Sequence, residues 1–136
     1  MIVLVDTCVW SLALRRSRKN MNINEGRILD TLKELIFEGR IRMLGQVRQE
    51  LLSGIRHKEQ FDFILNASRN FPDVPVGIED YEAAAVACNT CRSAGISGSP
   101  ADFLLCAVAQ SRKWAILTTD KDFKRYQKHL PLVLLP

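Results

Sequence analysis

The chain is predicted to be an α/β protein built on a short, mostly parallel sheet with helices on both faces. Two observations predict this. Short apolar segments alternate with amphipathic helical stretches along the chain. Within those segments apolar residues run continuously, the pattern of strands buried on both faces, not strands with one wet side. Strands of this kind need crossover helices, which are right-handed and lie over the sheet.

Residues 1–5 form the first strand, an apolar run stopped by Asp6. No regular element is predicted between Asp6 and Asn24. Residues 24–38 form a helix, with Ile28, Leu29, Leu32, Leu35 and Ile36 on one face and Gly39 as its stop. Residues 41–44 are a second strand. Residues 46–53 are helical, with Val47 and Leu51 four apart, and Gly54 ends them. Residues 58–70 form another helix that groups Phe61, Ile64 and Leu65, and residues 73–76, between prolines, a third short strand. Residues 79–94 are a long alanine-rich helix stopped by Gly95. Ser99 is a good N-cap, Pro100 suits the first helical position, and Asp102 stands three after the cap, so a helix runs from there to about Arg112. Residues 115–118 are a fourth strand, 121–128 a short basic helix and 132–135 a last strand. With 136 residues and no repeat, low-complexity tract or linker, a single domain covering residues 1–136 is expected.

Composition narrows the class. The 47% hydrophobic content fills one core without disulfides or disorder. A net charge of +4 is a mild basic bias, compatible with a polyanionic partner. The apolar start is too short for a signal peptide, and no stretch approaches the roughly 20 residues that span a membrane, so a soluble, cytoplasmic protein is expected. Cys88 and Cys91 form a C-x2-C pair without a second pair to complete a zinc site. They are read as buried, reduced, structural thiols; the other two cysteines are Cys8 and Cys106.

In open α/β sheets ligands bind beyond the carboxyl ends of the strands, so acids just after strands carry the interest. Asp6 follows the first strand and Asp120 the fourth, and neighbouring parallel strands would bring them together. Asp102 lies in the first turn of the helix leading to the fourth strand. Glu50 lies at the margin of its helix's apolar stripe, one turn from Val47 and Gly54. Four converging carboxylates repel one another unless a cation or proton intervenes. Mg2+ or Mn2+ suits them, because hard cations take oxygen ligands and can activate water against a phosphodiester. No Ser, Cys or His nucleophile is needed, and the two histidines, His57 and His129, stand in no triad-like setting. Each acid also has an ordinary reading. Asp102 could close a capping box with Ser99, Asp120 or Asp122 could cap the next helix, Asp6 could begin a turn, and Glu50 could be a plain helix residue. The joint pattern favours the site.

Four segments carry a resemblance: Val3-Leu4-Val5-Asp6-Thr7-Cys8-Val9-Trp10, Gln49-Glu50-Leu51-Leu52-Ser53-Gly54, residues 100–109 around Asp102, and Leu117-Thr118-Thr119-Asp120-Lys121-Asp122-Phe123. In this order and spacing the chain resembles PIN-domain ribonucleases, and among them the VapC-like toxins of toxin–antitoxin modules. The resemblance implies a three-layer α/β/α fold and a Mg2+- or Mn2+-dependent endoribonuclease. It implies Asp6, Glu50, Asp102 and Asp120 as the acidic set, with Asp122 a further metal ligand or a supporting group. It places Thr7 and Thr119 where hydroxyls support the pocket. It also implies RNA as substrate, a homodimer, and a protein antitoxin that blocks the pocket. Phe103-Leu104-Leu105-Cys106 departs mildly from the family, which bears on packing and not on the acids.

The basic run Arg15-Arg16-Ser17-Arg18-Lys19 could hold a phosphate backbone or be a solvated loop. Arg48, Arg56, Lys121, Lys124 and Arg125, near the acidic motifs in sequence, are read first as surface charges that could otherwise touch RNA, and Trp10 and Trp114 as packing residues that could otherwise stack on bases. A phosphoacceptor-aspartate enzyme is disfavoured, since Cys8 stands where a dehalogenase-type phosphatase has its second Asp and no early acid pair suits a receiver domain. A catalytically silent binding module would be expected to have lost an acid, and all four are present.

Overall fold

A computed structural model describes residues 1–16 and 18–136. Four strands form one sheet: β1 (Val3–Val5), β2 (Ile41–Arg42), β3 (Ala115–Leu117) and β4 (Val133–Leu134). Their order is β2-β1-β3-β4 and every pairing is parallel. The helices are α1 (Thr7–Arg15), α2 (Ile23–Phe37), α3 (Gly45–Leu52), α4 (Lys58–Ser68), α5 (Ile78–Ser93), α6 (Pro100–Arg112) and α7 (Asp122–Gln127). They pack in two groups, α1 to α4 and α5 with α6, giving the three-layer α/β/α arrangement. β1 to β2 steps one way along the sheet and β2 to β3 the other, so right-handed crossovers put α1 and α2 on one face and α5 and α6 on the other, while α3 and α4, which follow β2, pack back on the α1 side.

The continuous apolar runs are buried as read, with all three residues of β1 and of β3 inside. Gly39 (φ +68°) and Gly95 (φ +79°) adopt the left-handed conformation that ends a helix without a Cβ penalty. Asn22 and Glu25 form a reciprocal capping box that starts α2. The last turn of α6 ends differently. Lys113, its C-cap, takes φ 59°, ψ 41°, a strained conformation for a residue with a Cβ. Lys113→Gly is expected to raise stability by about 0.5–1 kcal/mol, relief of that strain outweighing the freer unfolded chain. A urea midpoint equal to or below that of the wild type would contradict this.

Two expectations need correction. Thr7–Arg15, where no element was predicted, is helix α1, capped by Asp6 and burying Val9, Trp10 and Leu12. Nearly every residue there is apolar or small, so no 3.6-residue stripe stands out in the sequence. Residues 73–76 are not a strand of the sheet. They contribute a single parallel bridge between Asp73 and Met43. Met43 donates to the Pro72 carbonyl and accepts from Val74 N–H, both at 3.0 Å. Pro72 has no N–H to extend this ladder backward, and the chain beyond Met43 turns into α3.

Arg112 ties α6 to the entry of α5. Its guanidinium reaches both carboxylate oxygens of Asp80 (3.0 and 3.2 Å) and the Pro75 carbonyl (2.9 Å), and lies 5.7 Å from the Trp114 ring centre. Asp80 also accepts from Gly77 N–H at 3.0 Å. The Arg112 bond foremost, with the Gly77 N–H, holds the Asp80 carboxyl below its ordinary value. A carboxyl whose pKa is lowered in the folded state stabilises the fold above its unfolded pKa, near 3.8, and that stability disappears as pH falls through the folded value. Between pH 5 and pH 3, roughly, the wild type should therefore lose more stability than Asp80→Asn, as urea titrations at each pH would measure. Equal losses would mean the pair contributes nothing to acid sensitivity.

Candidate active site

The β1–β3 register sets Val5 beside Leu117, so the residues that follow, Asp6 and Thr118, emerge together at the carboxyl edge of the sheet. Asp6 N–H donates to the Leu117 carbonyl at 3.0 Å. Thr118 joins two acids through one hydroxyl. Its Oγ1 donates to Asp6 Oδ2 at 2.8 Å and accepts from Asp120 N–H at 3.0 Å. Asp6, only 9% exposed, also caps α1, its Oδ1 accepting from Thr7 N–H at 2.8 Å. The Cys8 thiol donates to Asp6 Oδ2 and accepts from Thr119 N–H, both at 3.4 Å.

Glu50 comes from α3 on the other side. The Thr7 hydroxyl donates to its Oε2 at 3.0 Å, so adjacent residues of one turn touch both acids. Glu50 also borders a cavity of about 340 Å³ with Gln46, Gln49 and Ser53. Asp102 enters from the first turn of α6. Ser99 accepts from Asp102 N–H at 3.1 Å, as the capping pattern requires. The reciprocal half of the box is not made. In α2 and α5 the acid at the same position, Glu25 or Asp80, reaches back to the cap N–H. Asp102 instead accepts from the buried Tyr126 hydroxyl at 2.8 Å. Capping therefore does not account for its carboxylate. Asp120 does have a local role, its Oδ1 accepting from Asp122 N–H at 2.9 Å at the start of α7. Asp122 itself stands 3.6 Å from Arg125, one turn on.

The electrostatics show that these acids share one neighbourhood. Burial raises the Asp102 carboxyl above its ordinary value. The Tyr126 hydrogen bond opposes this, and the negative charges of Asp6 and Asp120 add to it. Burial, followed by the Asp6 charge, raises the Cys8 thiol. Burial likewise raises Tyr126, and its bond to Asp102 and the charges of Asp102, Asp122 and Asp120 push the same way, so the phenol stays protonated and a donor.

Oxygen donors from several elements, with the Asp6 and Asp120 charges close enough to raise the Asp102 carboxyl, fit a hard cation. Among the described residues no three acid, cysteine or histidine side chains form a ready-made ligand cage.

The structure thus brings Asp6, Glu50, Asp102 and Asp120 to one edge, with Asp122 at its rim. It adds a supporting hydroxyl at Thr118, the residue that meets Asp6 where the β1–β3 register runs out, while Thr119 bonds Cys8. Tyr126 and Cys8 join the site without a sequence signal for it: Tyr126 lies 24 residues from Asp102 in a helix read as basic and exposed. Arg48 is only 18% exposed and is bound to Asp73, Ser68 and Phe71. Trp10 is buried against Phe71, with ring centres 4.8 Å apart. Of the C-x2-C pair, Cys91 is buried but Cys88 is partly exposed, which corrects the reading of both as buried; Cys106 is buried and Cys8 partly exposed. In the basic run Arg16 pairs with Glu25 at 2.6 Å, while Ser17 and the Arg18 side chain lie outside the described residues.

A parallel α/β/α sheet with acids gathered at its carboxyl edge is the arrangement of a ligand site in an open α/β fold, and comparison makes the assignment specific. The PIN domain family model matches residues 3–129, and the chain belongs to that family. A search of curated protein sequences finds no match. Among solved structures it is similar to VapBC2 from Rickettsia felis bound to a DNA fragment from its promoter. The TM-score is 0.76 at 17% identity, covering 99% of this chain and 98% of the other. It is also similar to FitAcB from Neisseria gonorrhoeae (TM-score 0.71, 16% identity, 99% and 97% covered). A third is VapBC-5 of Mycobacterium tuberculosis, a member of the VapBC family of toxin–antitoxin systems (TM-score 0.67, 15% identity, 99% and 98% covered). At such identities the likeness is one of fold. No helix among the described residues is long and apolar enough to cross a membrane.

Proposed function

We propose that this protein is a Mg2+- or Mn2+-dependent endoribonuclease, the toxin of a toxin–antitoxin pair, acting as a single domain over residues 1–136. The observation that carries the reading is the meeting of Asp6, Glu50 and Asp120 at one sheet edge through Thr7 and Thr118, with Asp102 near enough for the Asp6 and Asp120 charges to raise its carboxyl. PIN family membership and the likeness to VapBC and FitAB proteins support it.

Asp6, Asp102 and Asp120 would hold the cation, with Asp122 joining from the rim. A bound Mg2+ or Mn2+ would polarise the scissile phosphate and lower the pKa of a water molecule. The protein's own part is orientation and proton transfer. Thr118 and Thr7 N–H fix both oxygens of Asp6, and the Thr7 hydroxyl fixes Glu50. Glu50, the acid of the set outside the cation's proposed ligands, would accept the proton of the attacking water. The net positive charge assists approach of a polyanion. A protein antitoxin, a second copy of the chain and a cytoplasmic setting complete the proposal.

The test is incubation of the purified protein with a cellular RNA pool, with Mg2+ or Mn2+ and with EDTA. Cuts that need metal are the expected result. An absence of cuts, together with no binding of Mn2+, would refute the assignment.

A further inference from the structure

Tyr126 is the largest group touching an acid of the site, and neither the capping pattern nor the proposed chemistry requires it. It is fully buried, with its ring centre 5.0 Å from that of Phe103 and 5.2 Å from that of Phe123. Two aromatic neighbours from α6 and α7 leave the ring one seat. Its hydroxyl reaches Asp102 Oδ2 at 2.8 Å. An ionised carboxylate only accepts, so the phenol is the donor.

Gly98 makes room for this hydroxyl. A Cβ at residue 98 would collide with the phenol oxygen, and would stand 2.8 Å from Tyr126 Cζ and 3.1 Å from Phe103 Cε2. The φ of Gly98 is not positive, so the glycine serves space and not backbone conformation. The loop before α6, the first turn of α6 and the body of α7 therefore meet at one oxygen of Asp102.

We propose that Tyr126, seated by Gly98, is a positioning residue that holds Asp102 Oδ2 and so fixes the direction in which this carboxylate, which the Ser99 hydroxyl also touches, meets a divalent cation. The proposal rests on the metal-dependent reading above and deepens it. A carboxylate free to rotate can offer either oxygen, both, or neither. One fixed by a buried donor meets a cation in a single direction, and groups of this kind orient metal ligands. Tyr126 acts through Asp102 and touches neither substrate nor cation.

The test measures binding of Mn2+ by the loss of its free-ion electron paramagnetic resonance signal, with no RNA present. Thermal unfolding and circular dichroism of each variant establish that it is folded. Tyr126→Phe keeps the ring and removes the hydroxyl, and should weaken Mn2+ binding by about tenfold or more. Gly98→Ala keeps the hydroxyl but displaces it, and should weaken binding in the same direction. It also carries the test if Tyr126→Phe does not fold. In an Asp102→Asn background Tyr126→Phe should add no further loss. Mn2+ binding by folded Tyr126→Phe equal to the wild type would overturn the proposal. So would an equal further loss in the Asp102→Asn background, since Tyr126 would then act through the fold at large. Failure of the wild type to bind Mn2+ would instead sink the metal-dependent reading, and this inference with it.

Discussion

Asp6→Asn is expected to reduce metal-dependent RNA cleavage by about 100-fold or more, the scale of losing one charged ligand of the cation that stabilises the transition state. The fold should survive. Asn is as good an N-cap as Asp, so the cap on Thr7 N–H of α1 is kept. Its amide can reverse the bond with Thr118, at a cost of about 1 kcal/mol. Asp6→Ala is a poorer probe, because it leaves Thr7 N–H and the Thr118 hydroxyl without their acceptor near the core. Initial cleavage rates, with urea midpoints as the control, separate the two effects. Activity of Asp6→Asn within about tenfold of the wild type would reduce Asp6 to a helix cap, with its charge unused.

Arg48→Ala is expected to cost about 2–3 kcal/mol of stability while leaving the affinity for RNA of the remaining folded protein unchanged. Sequence position beside Glu50 made Arg48 a candidate for RNA contact. In the structure its Nη1 donates to Ser68 Oγ at 2.8 Å, and Ser68 is fully buried. Nη2 reaches the Phe71 carbonyl at 3.4 Å, and Nε and Nη2 both reach Asp73 Oδ1, at 3.2 and 2.7 Å. The Asp73 side chain is 60% exposed, so that ion pair contributes little and the cost comes from the buried acceptors. Arg48 thus pins α3 to the end of α4 and to the segment bridged to Met43. Urea unfolding and RNA binding measured on the same variant give the answer. A large loss of affinity at unchanged stability would return Arg48 to the RNA surface.

Much of this molecule could be read along the chain. Strands buried on both faces announce themselves as unbroken apolar runs, because both faces impose the same requirement at every residue. Gly39, Gly95 and Ser99 mark helix ends because backbone conformation and capping are local matters. The failures have physical causes of the same kind. α1 carries too many apolar residues for its stripe to show. Residues 73–76 look like a strand by composition, but Pro72 lacks the donor a longer ladder needs. Lys113 ends α6 in a conformation that glycine would have signalled.

The sequence by itself determined the fold class and the acids worth testing, since strand burial, helix ends and an acid after a strand depend on neighbours a few residues away. Only the tertiary structure decided how those acids are held. Thr118 and not Thr119 faces Asp6 because a parallel register, set by packing across the sheet, puts it there. Tyr126 meets Asp102 because α6 and α7 are folded against each other, and Gly98 leaves the space for it. Arg48 turns inward because buried acceptors from α4 and the following loop converge on it. Contacts between residues distant in the chain leave no periodicity in the sequence, and it is those contacts that orient a charged side chain.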